Sequence, residues 1–286
     1  MSEEKTIIDL AKKHLSEEKT QKSQETTEPE SIQRPSMRRQ ESEKENHIKD
    51  ALNDLLAKVE TKKDYIPIKL PSMGVFNEGI DTVEIRPFTY EDERILRSVT
   101  KMNEGIAAIS TLMRRCVKGI EYSNLSLFDK NYLLFKLREI SYGDDYEISV
   151  TCQECQEKND LSVKISKLRV DYADPNMEYP KKVYLPDSEV DVYVRCPRAE
   201  DEKLLGNSAS LTDSLWKFVD RIKDYEERGI IQEFLSKTTA KDITTLRQAI
   251  FSDNIGLNYD VRFKCSNCNS DERTTLPMNE SFFSVS

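Results

Sequence analysis

The chain has 286 residues, 33% of them charged, with a formal net charge of -9 at pH 7 and only two histidines. That length allows one or two domains, and the acidity removes the usual electrostatic source for sustained binding to a phosphate backbone. No apolar run is long enough to cross a bilayer, and the amino end lacks the basic flank and apolar core of a signal peptide, so a soluble protein without a cleaved leader is expected.

At the amino end, Ile7, Ile8, Leu10, Ala11 and Leu15 fall on one stripe of a short helix predicted to begin near Ser2. Residues 16–46 are rich in Glu, Lys, Gln, Ser and Thr and carry Pro29 and Pro35. Such a segment buries too little apolar surface to offset ordering, and disorder is expected there. Helical spacing returns at Ile48, Ala51, Leu52, Leu55, Leu56 and Val59. Each of these two amphipathic helices either docks on a partner or packs on its own domain. Residues 66–71 read as a proline-punctuated extended lead-in and residues 73–79 as a loop. The domain reading is therefore a largely disordered tail with a short amphipathic helix over residues 1–46, a helix and extended linker over 47–79, and one folded domain over 80–286.

Inside that domain, residues 83–96 (VEIRPFTYEDERIL) lie without gaps on residues 192–205 (VYVRCPRAEDEKLL). Both copies read as strand, turn and helix start. The shared acidic triplet falls in a first helical turn, where negative charge complements the helix dipole. Two copies at so long a spacing indicate a duplicated half-domain, with halves of about 80–170 and 188–286, in place of a solenoid. Helices are predicted over 90–99, 105–119 and 127–141 in the first half, and over 201–205, 211–227, 230–235 and 240–251 in the second. Asp213, Ser236 and Thr239 are candidate caps. Trp216 and Phe218 read as core anchors, and Cys116 and Cys196 as inert core thiols on apolar faces.

Each half ends in a matched frame. Tyr146-Glu-Ile-Ser-Val-Thr-Cys152 and Tyr259-Asp-Val-Arg-Phe-Lys-Cys265 alternate apolar and polar residues into a CxxC pair, Cys152/Cys155 and Cys265/Cys268. A short turn between two thiolates can aim both sulfurs at one ion, so two such knuckles make one tetrahedral site. A redox dithiol would open a helix, whereas here polar residues lead into a second strand-like run. Paired disulfides and unliganded core thiols also compete with a metal site at this spacing. The expectation is one structural zinc per chain, held by Cys152, Cys155, Cys265 and Cys268 in a reducing compartment. Four thiolates leave no open position for catalysis. His14 and His47 lie far upstream, and the chain has no Gly-rich phosphate loop, HExxH or GxSxG. A non-enzymatic protein is expected, with no catalytic residues and no small-molecule substrate.

The segment Glu84-Ile-Arg-Pro-Phe-Thr-Tyr-Glu-Asp-Glu-Arg-Ile-Leu96, the downstream Leu127-Phe128-Asp129 and the run from Tyr142 to Cys155 around the first knuckle resemble the baseplate hub assembly proteins of contractile-tailed bacteriophages. The resemblance covers about residues 71–286 and ends at the aromatic tail Ser281-Phe-Phe283; the extension before Pro71 departs from it. It implies a virion or virion-assembly protein of the tail baseplate, located in the particle or in the host cytoplasm during assembly, whose partners are other baseplate or tail proteins. With this, the expected fold is α+β: internally duplicated strand-helix-strand-zinc-knuckle halves joined by the four-cysteine site, behind a disordered or helical N-terminal extension. The competing function is a zinc-ribbon adaptor acting on nucleic acid or a polymerase, which would need a basic stripe beside the knuckles.

Overall fold

A computed structural model describes residues 35–60, 64–97, 102–205, 208–278 and 280–283. Contacts divide the chain into two units, Met1–Glu60 and Thr61–Ser286. In the first unit the described residues form one helix, α1 (Pro35–Glu60). The helix expected near Ser2 lies outside the described residues. Residues 35–46, expected to lack order, instead form the first part of α1. Their run of Arg, Gln, Glu and Lys consists of good helix formers, and Pro35 occupies the first helical position, where its missing amide has no intrahelical acceptor to lose. Ile48, Leu52, Leu55 and Leu56 are exposed on this helix.

The second unit is α+β. Its first part runs β1 (Ile66–Lys69), β2 (Thr82–Ile85), α2 (Tyr90–Arg97), α3 (Met102–Cys116), β3 (Val117–Lys118), α4 (Leu127–Tyr142), β4 (Asp145–Thr151), β5 (Lys158–Lys164) and β6 (Val170–Asp171). The remainder runs β7 (Lys181–Leu185), β8 (Val190–Val194), α5 (Glu202–Leu205), α6 (Ser208–Ser214), β9 (Val219–Ile222), α7 (Arg228–Lys237), α8 (Ala240–Phe251), β10 (Gly256–Leu257), β11 (Asp260–Lys264) and β12 (Asp271–Thr275). Two antiparallel three-stranded sheets, β1-β2-β3 and β7-β8-β9, each hold a strand of the repeated segment at the centre. The knuckle strands form two separate hairpins, β4-β5 and β11-β12.

The repeated segments fold as strand, turn and helix start in both places. Arg86 Nη1 meets Asp92 Oδ2 at 2.7 Å, and Arg195 Nη1 meets Asp201 Oδ2 at 2.8 Å. The same aspartates accept the turn amides of Thr89 (2.9 Å) and Arg198 (2.8 Å). Dipole complementation alone therefore understates this acidic residue, which ties the strand to the helix it precedes. Asp92 is fully buried and also receives Arg115 Nε at 2.6 Å. Burial alone would raise its pKa, but the guanidinium groups of Arg86 and Arg115 and the bonds from Thr89 outweigh it and hold the carboxyl well below the ordinary range.

Four expectations change, three of them in the second half. The helix expected over 211–227 ends at Ser214; a 3₁₀ turn over Leu215–Phe218 and strand β9 follow. Val219 and Ile222 are β-branched, and pairing with β8 settles their conformation as strand. Likewise the helix expected through Gly119 ends at Cys116, where Val117 pairs with Ile85. Asp213 lies inside α6, and the Ser236 hydroxyl donates to Glu233 O inside α7, so neither is an N-cap. Thr239 does cap α8, accepting from Asp242 N at 3.3 Å.

Two apolar clusters fill the unit. The first gathers Ile85, Met113, Leu133, Phe135, Tyr146 and Ile148 with Leu257, Leu276 and Phe282 from much later in the chain. The second gathers Val183, Val192, Val194, Phe218, Ile231, Leu246 and Ile250. Phe218 is fully buried, while Trp216 packs partly buried against the second cluster. Cys116 and Cys196 are buried as expected; burial, reinforced by Asp92, pushes the Cys116 thiol up to about 12, so it stays protonated and inert. No helix among the described residues is long and apolar enough to cross a membrane.

Candidate metal centre

Each knuckle is aimed by its hairpin. In β4, Tyr146 and Ile148 face the core while Glu147 and Ser149 face out, and this alternation delivers Cys152 to the end of the strand with its side chain buried. Cys152 N–H donates to Glu157 O at 2.9 Å, and Gln156 N–H donates back to Cys152 O at 3.1 Å, closing the turn. The second knuckle repeats this: Cys265 N–H to Ser270 O at 3.0 Å and Asn269 N–H to Cys265 O at 3.0 Å. Both turns need a left-handed residue directly after the second cysteine, Gln156 at φ 62° and Asn269 at φ 57°. Asparagine adopts that region with little strain, glutamine with more.

The structure brings all four predicted cysteines together. Their sulfurs lie within 4.8 Å of one another. Across the knuckles, Cys152 Sγ is 3.7 Å from Cys268 Sγ and Cys155 Sγ is 3.6 Å from Cys265 Sγ. An ion with four sulfurs at about 2.3 Å in a tetrahedron separates them by about 3.8 Å, so the donor set fits a thiolate-bound metal. Cys152 and Cys265 are buried, Cys155 is half-buried and Cys268 exposed.

Around the sulfurs stand groups that the CxxC pattern does not reveal. Asn159, buried on β5, donates from Nδ2 to Cys265 Sγ at 3.6 Å and accepts Ser266 N–H at 2.8 Å, so a side chain of the first hairpin fixes the turn of the second. Ser270 Oγ lies 3.4 Å from Cys152 Sγ and 3.2 Å from Cys268 Sγ. The Glu272 carboxylate lies 3.4 Å from Cys152 Sγ. The amide of Cys268, helped by that of Asn267 and by Asn159, overcomes burial and holds the Cys265 thiol down to about 6. The Ser270 hydroxyl likewise holds Cys268 low. For Cys152 the Ser270 hydroxyl and the amides of Cys155 and Glu154 act in the same direction, but burial and the neighbouring Cys265 outweigh them and push that thiol up to about 11. The pocket thus favours thiolate at some sulfurs while crowding keeps a proton at another, a conflict that a bound dication would relieve.

Two buried carboxylates deeper in the unit were also missed. Asp129, in the first turn of α4, accepts Ser72 N–H at 2.9 Å, Asn77 Nδ2 at 2.6 Å and the Ser126 hydroxyl at 2.7 Å. Asp242, in the first turn of α8, accepts Asp187 N–H at 3.1 Å, Ser188 N–H at 2.8 Å and the Ser188 hydroxyl at 2.7 Å. Each thereby ties a helix start to the loop between the first two strands of a three-stranded sheet. The first of these loops is shaped by Gly74, at φ 81°, where a Cβ would sit 2.8 Å from the carbonyl carbon of Gly79. The available signal was the spacing Ser126-x-x-Asp129 and Thr239-x-x-Asp242, in which cap and carboxylate share a turn. Both are accounted for as anchors of the fold.

No curated protein and no solved structure matches this chain. Residues 62–284, which span both knuckles and both three-stranded sheets, match the family model described as T4 bacteriophage base plate protein. With well over half of its length inside that match, the chain belongs to the T4 bacteriophage base plate protein family.

Proposed function

We propose that this chain is a structural or assembly protein of the baseplate hub, that it acts by binding other tail proteins and not by catalysis, and that Cys152, Cys155, Cys265 and Cys268 hold one structural zinc. The observation that carries the baseplate reading is the family match over residues 62–284. The structural role of the site is supported by four sulfur donors at tetrahedral spacing, a set that fills every position around the ion. When bound, zinc would neutralise the thiolates and cross-link segments more than a hundred residues apart in sequence. Asn159 and the turn amides orient the sulfurs whether or not the ion is present. Lys164 meets Asp145 at 2.8 Å and Lys264 meets Asp271 at 3.9 Å, and Glu147, Asp160, Asp260 and Glu272 share the knuckle strands with Lys158, Arg262 and Arg273, a charge balance that disfavours the nucleic-acid adaptor.

The same proposal includes an internal duplication. It is supported by the matched series of devices: a three-stranded sheet centred on the repeated strand, the Arg86–Asp92 and Arg195–Asp201 pairs, the capping carboxylates Asp129 and Asp242, and knuckles closed by left-handed Gln156 and Asn269. The second half adds α7, for which the first has only turns between β3 and α4.

Mass spectrometry of purified virions beside infected-cell lysate, with affinity co-purification of the tagged chain, tests the hub role. Recovery of tail proteins is expected; polymerase subunits or nucleic acid in their place would overturn it. Elemental analysis tests the metal, with one zinc per chain expected. Iron, visible as charge-transfer colour in a four-sulfur site, would keep the centre and replace the ion.

A further inference from the structure

We propose that a second copy of this chain docks head-to-tail on the corner between α7 and α8, using residues 88–90 of one copy and 238–240 of the next. The inference rests on the duplication proposed above, and its model is a junction that the chain already makes with itself. There, residues 125–127 cross residues 197–199 as a short antiparallel pair. Leu127 N–H donates to Pro197 O at 2.9 Å, Ala199 N–H donates to Leu125 O at 2.9 Å, and Ser126 bridges Arg198. Both donors are the first residues of helical segments, whose amides have no acceptor within their own helix. Ala199 is fully buried in this junction, under the Tyr122 hydroxyl at 3.5 Å from its carbonyl. Beside it the buried Lys130 ammonium meets Glu202 at 2.5 Å.

The alignment of residues 83–96 on 192–205 equates Phe88-Thr89-Tyr90 with Pro197-Arg198-Ala199. The caps Ser126 and Thr239 equate residues 125–127 with 238–240. Among the described residues these second positions do not meet each other or make the corresponding bonds. Thr239 and Ala240 are exposed, and Tyr90 is 75% exposed. At Thr238 opens a groove of about 470 Å³ whose apolar floor is Gly229, Ile230 and Phe234, with Ser188, Glu233 and Lys237 also lining it and Ile230 itself 44% exposed.

The sizes are exchanged between the two junctions. In the internal one, the large Tyr122, whose hydroxyl donates to the Ala199 carbonyl, covers the small Ala199. In the open one the donor position carries the large Tyr90, and the acceptor side offers an apolar groove. Tyr90 of one copy fits the groove of the next, with Ala240 N–H donating to Phe88 O and Tyr90 N–H donating to Thr238 O. A buried tyrosine at the centre of a small interface is the residue type that dominates such contacts. The two segments are different, so the contact is heterologous and continues into a ring or a filament.

Sedimentation of the full chain over a wide concentration range tests this. The weight-average mass should rise above 33.2 kDa with concentration. Tyr90→Ala removes the donor side chain. Ala240→Pro removes one amide at a first helical position that tolerates proline, after a Thr239 whose φ of -64° and ψ of 154° suit a following proline. Each variant alone should stay at 33.2 kDa, and an equimolar mixture should rise to twice that mass and stop, because one intact donor then faces one intact acceptor. A wild-type chain that stays monomeric, or self-association that survives both substitutions, overturns the proposal. So does a mixture that fails to associate. Leu127→Pro, which removes the matching internal amide, tests the internal junction apart from the contact between copies and from the duplication. A lowered melting midpoint with a monomeric wild type would leave the internal junction standing and remove only the contact between copies; an unchanged midpoint would remove the junction on which that contact is patterned and leave the duplication untouched.

Discussion

The two knuckles are alike in backbone and unlike in support. The first stands on strands of seven residues whose inward side chains reach the main core, and its leading Cys152 is fully buried. The second stands on five-residue strands, ends in the exposed Cys268 and takes its turn geometry from Asn159 of the first hairpin. The contrast extends through the unit: Asp92 is clasped by Arg86 and Arg115, whereas Asp201 faces Arg195 alone among the described residues. Equal local motifs therefore do not carry equal stability; what differs is how many distant segments each one gathers.

Removing the metal ligands should have the largest effect. Cys265→Ser should abolish stoichiometric metal and lower the melting midpoint by on the order of 10 °C, because assembly of the site is coupled to folding of the second hairpin. Cys268→Ser should cost less, since that sulfur is exposed. Equal midpoints for both variants and wild type, with metal content followed in parallel, would end the structural reading of the site.

Next come the capping carboxylates. Asp129→Ala strands the buried Ser72 amide and Asn77 side chain and should cost about 3 kcal/mol in denaturant unfolding. Asp242→Ala, whose partners Asp187 and Ser188 are exposed and half-buried, should cost about 2 kcal/mol. A reversed order would show that exposure of the partners does not set the difference.

Asp92→Asn should cost about 3 kcal/mol by leaving Arg86 buried beside a neutral partner, and Asp201→Asn about half as much. The Asp92 pKa is lower folded than unfolded, so its contribution is fully present above the unfolded value near about 4 and is lost as pH falls toward the folded value. Acid unfolding curves should therefore be shallower in Asp92→Asn below about pH 4 than in wild type. Parallel curves would assign the stability to another group.

The smallest change is a gain. Gln156→Gly relieves a left-handed residue and should stabilise by about 0.5–1 kcal/mol, whereas Asn269→Gly should be close to neutral. Matching gains at both sites would mean that the turn is strained regardless of residue type.

What could be read from the sequence was what is local. The CxxC pairs, the alternation leading into each and the repeated strand-turn-helix segment each fit within about two turns of chain, and the structure holds them where the spacing put them. Residues 215–222 misled because apolar side chains at both helical and alternating positions leave the period undecided, and only β8 selects the strand. The start of α1 was missed because poverty in apolar residues argues against burial, not against a charged exposed helix. Beyond the local cap spacing, the distant partners of Asp129, Asp242 and Asn159 were out of reach, since they lie 52 to 107 positions away and no periodicity announces such contacts.

Phe282 sits 4.7 Å from the ring of Phe135 and 5.4 Å from that of Tyr146, and Tyr146 OH donates to Pro277 O across 131 positions. Seen from the ribosome, the first half is a socket whose plug is made more than a hundred residues later. Its core cannot close until the segment from Leu276 to Phe282 has left the exit tunnel, by which time both knuckles are already outside and able to meet. Stalled nascent chains ending before Leu276 should then remain sensitive to protease in the first half. Chains in which Phe283 has cleared the tunnel should become resistant in one step, and early resistance would show that the first half closes without its plug.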